Sequence, residues 1–173
     1  MGSDFQNMPY FIKPSLNFSK EEKTVAYETA SSGIDASIKN GDHRIMKMAT
    51  INSILKTYLP YYYWVGFYIV RNDRLEIGPY QGTMGCLYID FDKGVCGKAA
   101  REVKTQIIED VNLLSQGDQH IACDPHSHSE ICVPVVNGSG ELIAVFDVDS
   151  TNRSSFDQVD MHYLEGILNK HFQ

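Results

Sequence analysis

Reactive side chains concentrate in one stretch of the chain, residues 120–130, with the sequence HIACDPHSHSE. It combines one thiol, two acids and three imidazoles with a proline, which is typical of a turn-rich loop. A thiol among polar groups is more accessible and more readily ionised than a thiol within an apolar run. We therefore predict that Cys123 is reactive.

The chain has four cysteines and no Cys-x-x-Cys pair, so neither a thioredoxin-type motif nor a zinc ribbon is indicated. Cys96 lies near the start of a predicted short helix, where the helix dipole would lower the pKa of its thiol. Cys86 follows Gly85 at the start of a predicted strand, and fewer sequence features indicate that its thiol is reactive. Cys132 lies in an apolar run and is predicted to fill space as a small hydrophobe. Three cysteines beside glycines, acids or histidines favour redox chemistry.

A zinc site is the alternative use of this loop. His120, Cys123, His126 and His128 are of the types that bind zinc, but their spacing is not a regular ligand pattern. Solvated surface side chains are the default interpretation of the histidines. We expect no resident metal and no other cofactor.

Helices are predicted near both ends of the chain, and strands between them. Ser19 and Glu22 have capping-box spacing and introduce a helix that runs towards Gly41. Asp42 is predicted to cap a second helix, which ends before Pro60.

The middle of the chain contains short β-branched and aromatic runs separated by turn residues, and residues 155–171 form an amphipathic helix. This order predicts one α+β domain with a largely antiparallel sheet of about six strands. The domain is expected to span residues 19–173, after an irregular arm formed by residues 1–18.

Strand periodicity predicts a pocket bounded by aromatic side chains. Alternate residues of a strand share a face, so Trp64 and Tyr68 would flank a vacancy left by Gly66.

Acidic side chains should face the same region. Asp147 and Asp149 share one face of the last predicted strand, and two like charges so close need a cation, hydrogen bonds or solvent. The ammonium group of a ligand inside an aromatic cage would satisfy them. The alternative is that the two acids are solvent-exposed at the end of the strand. Both interpretations also apply to Glu130.

Composition limits the class of partner. The chain has 173 residues, 43% of them hydrophobic, and a formal net charge of -7. This balance argues against nucleic acid and anionic membranes, which need a concentrated basic face. With no signal-like N-terminus and no long apolar span, we expect a cytoplasmic protein that binds a small molecule or another protein.

Six segments together resemble the free methionine-(R)-sulfoxide reductases, a family built on the GAF domain: WVGFY, LEIGPYQG, GVCG, HIACD, SE and DVDS, which begin at residues 64, 75, 94, 120, 129 and 147. The resemblance runs in the same order from about Ser19 to the C-terminus. Two features depart from the family pattern. Gln119 stands where the family usually has a glycine, and it follows residues 114–118, which look like an insertion. His126 and His128 lie in a segment whose residues are commonly small and polar in the family.

The resemblance implies a GAF-like catalytic domain that binds free methionine-(R)-sulfoxide. Trp64 and Tyr68 would enclose the methyl and sulfoxide end of the substrate. The polar groups of the substrate would be bound by three acids, Glu130, Asp147 and Asp149.

The resemblance also implies a thiol mechanism. Cys123 would attack the sulfoxide sulfur and Cys96 or Cys86 would resolve the sulfenic acid, although the roles of Cys123 and Cys96 could be exchanged. A thioredoxin-like reductant would recycle the disulfide, and the protein would be a homodimer. The rival interpretation is a GAF-type sensor that binds a small molecule without catalysis, and the candidate redox cysteines argue against it.

Overall fold

The computed structural model describes residues 17–114 and 123–173. The elements are, in order, α1 (Lys20–Ser37), α2 (Arg44–Tyr58), β1 (Trp64–Arg71), β2 (Arg74–Gln81), β3 (Tyr88–Asp90), α3 (Gly94–Glu102), β4 (Gln106–Ile108), a 3-10 turn (Val111–Leu113), β5 (Ser129–Val136), β6 (Leu142–Ser150) and α4 (Gln158–Phe172). The predicted arm, except its last two residues, lies outside the described residues, as does His120. No helix within the described ranges is long and apolar enough to cross a membrane.

The strands form one six-stranded sheet in the order β3-β2-β1-β6-β5-β4. Every neighbouring pair is antiparallel, which confirms the predicted α+β fold. β1 and β6 lie side by side at the centre, where Trp64 pairs with Asp149 and Gly66 with Asp147. The predicted aromatic and acidic residues are therefore neighbours across one ladder.

The two faces of the sheet have different roles. One face packs against α1, α2 and α4 through a core that includes Tyr27, Leu55, Phe67, Phe146 and Leu164. The other face packs against α3 through a smaller cluster. Because successive strand residues point to opposite faces, Trp64, Tyr68 and Val145 belong to the smaller cluster, on the side of the site.

The helix boundaries correct two predictions. Ser19 and Glu22 form the predicted capping box, but α1 ends at Ser37, before Gly41. The predicted cap of α2, Asp42, instead accepts a hydrogen bond from the Lys39 amide. The N-cap is His43, whose Nδ1 accepts from the Ile45 amide at 3.3 Å. Asp42 is used to close the turn between the helices, so the next residue caps α2.

Candidate active site

A disulfide joins Cys86, in the loop between β2 and β3, to Cys123, in the loop before β5. Their Cα atoms are 5.3 Å apart, within the usual range for a disulfide. Cys96, the other candidate for the resolving role, is a free and buried thiol. The structure therefore brings Cys123 together with Cys86 and leaves Cys96 outside the bond.

Asp124 ties the two cysteine-bearing segments together. Its carboxylate accepts hydrogen bonds from Thr83 Oγ1, from Tyr63 Oη at 3.0 Å and from the His126 amide at 2.8 Å. The hydrogen bond from Thr83 is the largest of the effects that hold the pKa of Asp124 at about 2, well below its usual range. Thr83 precedes Cys86 by three residues and Asp124 follows Cys123 directly, so this contact lies beside the disulfide.

A cleft of about 570 Å³, including its open mouth, lies beside the disulfide. Among the described residues, its walls contain no lysine, arginine or histidine. They are formed by Trp64, Tyr68, Met84, Gly85, Ile89, Gly94, Val95, Cys96, Cys123, Asp124, Ser127, Glu130, Asp147 and Asp149. Every site residue expected from the sequence therefore lines this cleft except Cys86, which is bonded to Cys123.

The aromatic wall corrects the predicted vacancy. The rings of Trp64 and Tyr68 are stacked with centroids 5.8 Å apart, and Trp64 also stacks on Tyr80 at 5.3 Å. A Cβ at Gly66 would lie 2.4 Å from Tyr80 Cβ and 2.6 Å from Trp64 Cη2. The space above Gly66 is therefore filled by the Trp64 ring, which leans over the glycine. Gly66 accordingly does not line the cleft.

Three acids face the cleft, and all three are largely removed from solvent. Burial, followed by repulsion from Asp149, raises the pKa of Glu130 to about 8. Burial also raises the pKa values of Asp147 and Asp149, with repulsion from neighbouring acids as the second cause. Asp149 accepts a hydrogen bond from Ser127, a residue that sequence reasoning missed. The alternative that these acids are solvated at the ends of their strands is wrong. Burial contributes more than charge repulsion to their raised pKa values.

The thiol of Cys96 also differs from its prediction. It lies in the first turn of α3, but it is only 3% exposed, and burial raises its pKa. Desolvation of the thiolate outweighs the helix dipole that was expected to lower this pKa.

Cys132 is fully buried, as expected, but it is more than an apolar filler. Its Sγ lies 3.3 Å from Cys96 Sγ and donates to Glu130 Oε1 at 3.0 Å and to Asp147 Oδ1 at 3.3 Å. Strand periodicity could have found the contact with Glu130, because Glu130 and Cys132 are two residues apart in β5 and share a face.

The described part of the histidine-rich loop does not form the alternative zinc site. Cys123 is bonded to Cys86, and His126 is exposed and bonded through Nδ1 to Asp124 at 3.0 Å. A bonded sulfur offers no thiolate to a metal.

Comparisons with known proteins agree with this geometry. Residues 63–170 match the family model of the GAF domain. Free methionine-R-sulfoxide reductase from Escherichia coli is 36% identical over 146 residues, 84% of this chain and 86% of that protein. The enzyme of the same name from Saccharomyces cerevisiae is 43% identical over 107 residues, 60% of this chain and 58% of that protein.

A solved structure gives the same result. The free methionine-R-sulfoxide reductase from Neisseria meningitidis, in complex with its substrate, superposes with a TM-score of 0.80 at 35% identity. The match covers 91% of this chain and 95% of that one. The fold and the site thus define a GAF domain that carries a disulfide-linked cysteine pair beside a cleft. Within that class, the chain belongs to the free methionine-R-sulfoxide reductase family.

Proposed function

We propose that this protein reduces free L-methionine-(R)-sulfoxide to L-methionine and oxidises its own Cys86 and Cys123 to a disulfide. One observation carries the proposal: the disulfide borders a cleft that holds two buried acids, a third partly buried acid and no basic side chain among its described walls. Once its two cysteines are reduced, such a cleft combines a dithiol electron source with a binding site for a small cation or zwitterion.

The acids provide a reason why the substrate would be a free amino acid. A free methionine sulfoxide carries an ammonium group, which can neutralise the ionised carboxylates of Asp147 and Asp149. In a polypeptide the same nitrogen is an uncharged amide, so it would leave those charges unpaired. The stacked rings of Trp64 and Tyr68 offer an apolar surface to the methyl end.

The chemistry begins with reduced cysteines. The Cys123 thiolate attacks the sulfoxide sulfur while an acid protonates the sulfoxide oxygen, so that methionine leaves and a Cys123 sulfenic acid remains. We assign the proton transfer to Glu130, because its pKa of about 8 keeps the carboxyl largely protonated at neutral pH.

The Cys86–Cys123 disulfide supports Cys86 as the cysteine that resolves the sulfenic acid. The Cys86 sulfur attacks the sulfenic Sγ of Cys123, the S–S bond forms and water leaves. A thioredoxin-like dithiol then reduces the disulfide by exchange and is itself oxidised. Because this cycle needs a reducing supply of dithiol, we infer that the protein acts in the cytoplasm. The family resemblance further implies a homodimer, which light scattering of the purified protein would test.

The deciding experiment follows NADPH consumption with thioredoxin and thioredoxin reductase. Three substrates are compared: free methionine-R-sulfoxide, its S epimer and a peptide that contains methionine sulfoxide. Turnover of the free R form alone supports the proposal. No turnover of any substrate, with reduced thiols confirmed and a second dithiol reductant also inactive, would favour a ligand sensor without catalysis. Turnover of the peptide would contradict the role given to the ammonium group.

A further inference from the structure

Four buried side chains meet at the floor of the cleft. One ligand atom from each of Cys96, Glu130, Cys132 and Asp147 lies within 4.8 Å of the other three. They come from α3, β5 and β6, and none is more than 9% exposed. The proposed reduction uses Cys123 and Cys86, so the Cys96 and Cys132 thiols have no part in it.

The spacing of these atoms suits a tetrahedral metal. Zinc bonds of about 2.3 Å to sulfur and about 2.0 to 2.2 Å to oxygen place neighbouring ligand atoms about 3.3 to 3.8 Å apart. Here the two sulfurs are 3.3 Å apart, and Cys132 Sγ lies 3.0 Å from Glu130 Oε1 and 3.3 Å from Asp147 Oδ1. Shifts of a few tenths of an ångström would suffice at these contacts.

The electrostatics also favour a cation. The described walls of the cleft supply no lysine, arginine or histidine to balance ionised thiols and acids. A divalent cation would supply the missing positive charge.

We propose that Cys96, Glu130, Cys132 and Asp147 bind one thiophilic divalent cation of the zinc class. Two thiolates favour zinc over magnesium or calcium, which prefer sites made only of oxygen ligands. The open side of the cleft, which Cys96, Glu130 and Asp147 line, gives the ion a path of entry.

Metal binding would have a consequence for catalysis. Glu130 and Asp147 cannot bind a metal and also serve the substrate, so zinc would compete with methionine sulfoxide. This consequence rests on the proposed function, whereas the metal site itself does not.

The test uses the full chain with Cys86→Ser and Cys123→Ser, which leaves Cys96 and Cys132 as its only thiols. Zinc is titrated against a chromogenic chelator, and cobalt is added separately to detect thiolate-to-metal charge transfer in the near ultraviolet. We expect one zinc per chain and a charge-transfer band. The wild-type protein in its disulfide form gives an independent measurement, because Cys86 and Cys123 are then unavailable to metal.

Matched variants locate the site. Cys132→Val and Asp147→Asn should each lower zinc affinity at least about 100-fold. Asp149→Asn, which removes a partly buried acid of the same cleft outside the four, should change it little. Circular dichroism without metal identifies any variant that fails to fold, and Cys132→Ser then replaces Cys132→Val.

Several outcomes would overturn the metal site. These are the absence of zinc binding in both protein forms, equal affinity in Cys132→Val, or an equal loss in Asp149→Asn. If zinc binds as expected but the wild type reduces no sulfoxide, the proposed function fails while the metal site stands. If turnover occurs but no zinc binds, the metal site alone fails.

Discussion

Thr83 donates a hydrogen bond to the Asp124 carboxylate across 41 residues of chain. The contact links the segment that leads to Cys86 with the segment that begins at Cys123. Since Trp64 Nε1 also donates to the Thr83 carbonyl oxygen at 3.0 Å, the aromatic wall of the cleft is attached to the same point. Asp124 thus positions both the Cys86 segment and the tryptophan relative to the Cys123 loop.

Replacing Thr83 with valine should slow disulfide formation. The side chain keeps its shape but loses the hydroxyl, so Cys86 and Cys123 are held together less often after the sulfenic acid forms. We expect the resolution step to slow roughly 10-fold, by analogy with the cost of misplacing reacting groups. Rapid-quench thiol counting after one equivalent of substrate measures it.

Thr57→Val provides the matched control, because the exposed Thr57 hydroxyl donates to the Ser53 carbonyl within α2, away from the cleft. An unchanged rate in Thr83→Val, or an equal loss in Thr57→Val, would contradict the role of the Thr83–Asp124 contact.

Acidification should release the same contact. The pKa of Asp124 is about 2 in the folded protein, against an ordinary value of 3.8. The protein with the contact released therefore binds the proton first, so the stabilisation is complete above about pH 4 and is lost as the pH falls towards 2. Trp64, the single tryptophan, should report the change by fluorescence.

Thr83→Val should move this transition to higher pH, because it removes the largest cause of the depressed pKa. Asp124→Asn should abolish it. Far-ultraviolet circular dichroism separates local release from global unfolding, and a transition that persists unchanged in Asp124→Asn would refute the assignment.

The cysteine roles predict different chemical products. Cys123→Ser should lower turnover more than about 1,000-fold, since it removes the attacking thiolate. Cys86→Ser should still release one methionine per chain and accumulate a sulfenic acid at Cys123, which dimedone labelling and mass spectrometry detect.

Cys96→Ser distinguishes the alternative left open by the sequence. If Cys86 resolves, this variant still forms the Cys86–Cys123 disulfide after one turnover. A disulfide that requires Cys96, or methionine release from Cys123→Ser, would exchange the assigned roles.

The sequence predicted those features of the site that depend on local periodicity. Trp64 and Tyr68 share a face of β1, and Asp147 and Asp149 share a face of β6, because side chains alternate along a strand. The partner of Cys123 is 37 residues away, a distance over which no local pattern operates. The predicted lowering of the pKa of Cys96 was wrong for the same reason, because burial depends on residues that are distant in the sequence. The pKa of Cys96 depends on what packs over α3 more than on its helical position.

The glycine beneath Trp64 gives a steric test of the aromatic wall. A methyl group at Gly66 would meet Tyr80 Cβ at 2.4 Å and Trp64 Cη2 at 2.6 Å, so Gly66→Ala should displace the indole. We expect a loss of about 1 to 3 kcal/mol in stability from overpacking. The displaced wall should also lower kcat/KM roughly 10- to 100-fold.

Gly166→Ala is the control for this substitution. It lies in α4, and an added Cβ meets nothing within 4 Å, so it should be neutral or stabilise the helix by up to about 1 kcal/mol. Wild-type kinetics and unchanged Trp64 fluorescence in Gly66→Ala would show that the ring does not depend on this close approach.

Removing one partner of the buried ion pair on the opposite face should be strongly destabilising, because it leaves an unpaired buried charge. Lys23 of α1 contacts Asp160 of α4 at 2.5 Å, and both side chains are almost fully buried. Tyr27 and Tyr61 also donate to Asp160, at 2.9 and 2.5 Å. Lys23→Met would leave the carboxylate without its cation, at a cost of about 3 to 5 kcal/mol.

Lys170→Met tests whether burial causes that cost. Lys170 pairs with Asp35 at 2.8 Å, but both side chains are substantially exposed, so this pair should contribute less than about 1 kcal/mol. Urea unfolding of the two variants measures the difference. Equal losses would mean that the Lys23–Asp160 pair stabilises no more than a surface pair. A large loss in Lys23→Met alone would show that α1 and α4 are joined through this buried contact, on the face of the sheet opposite the cleft.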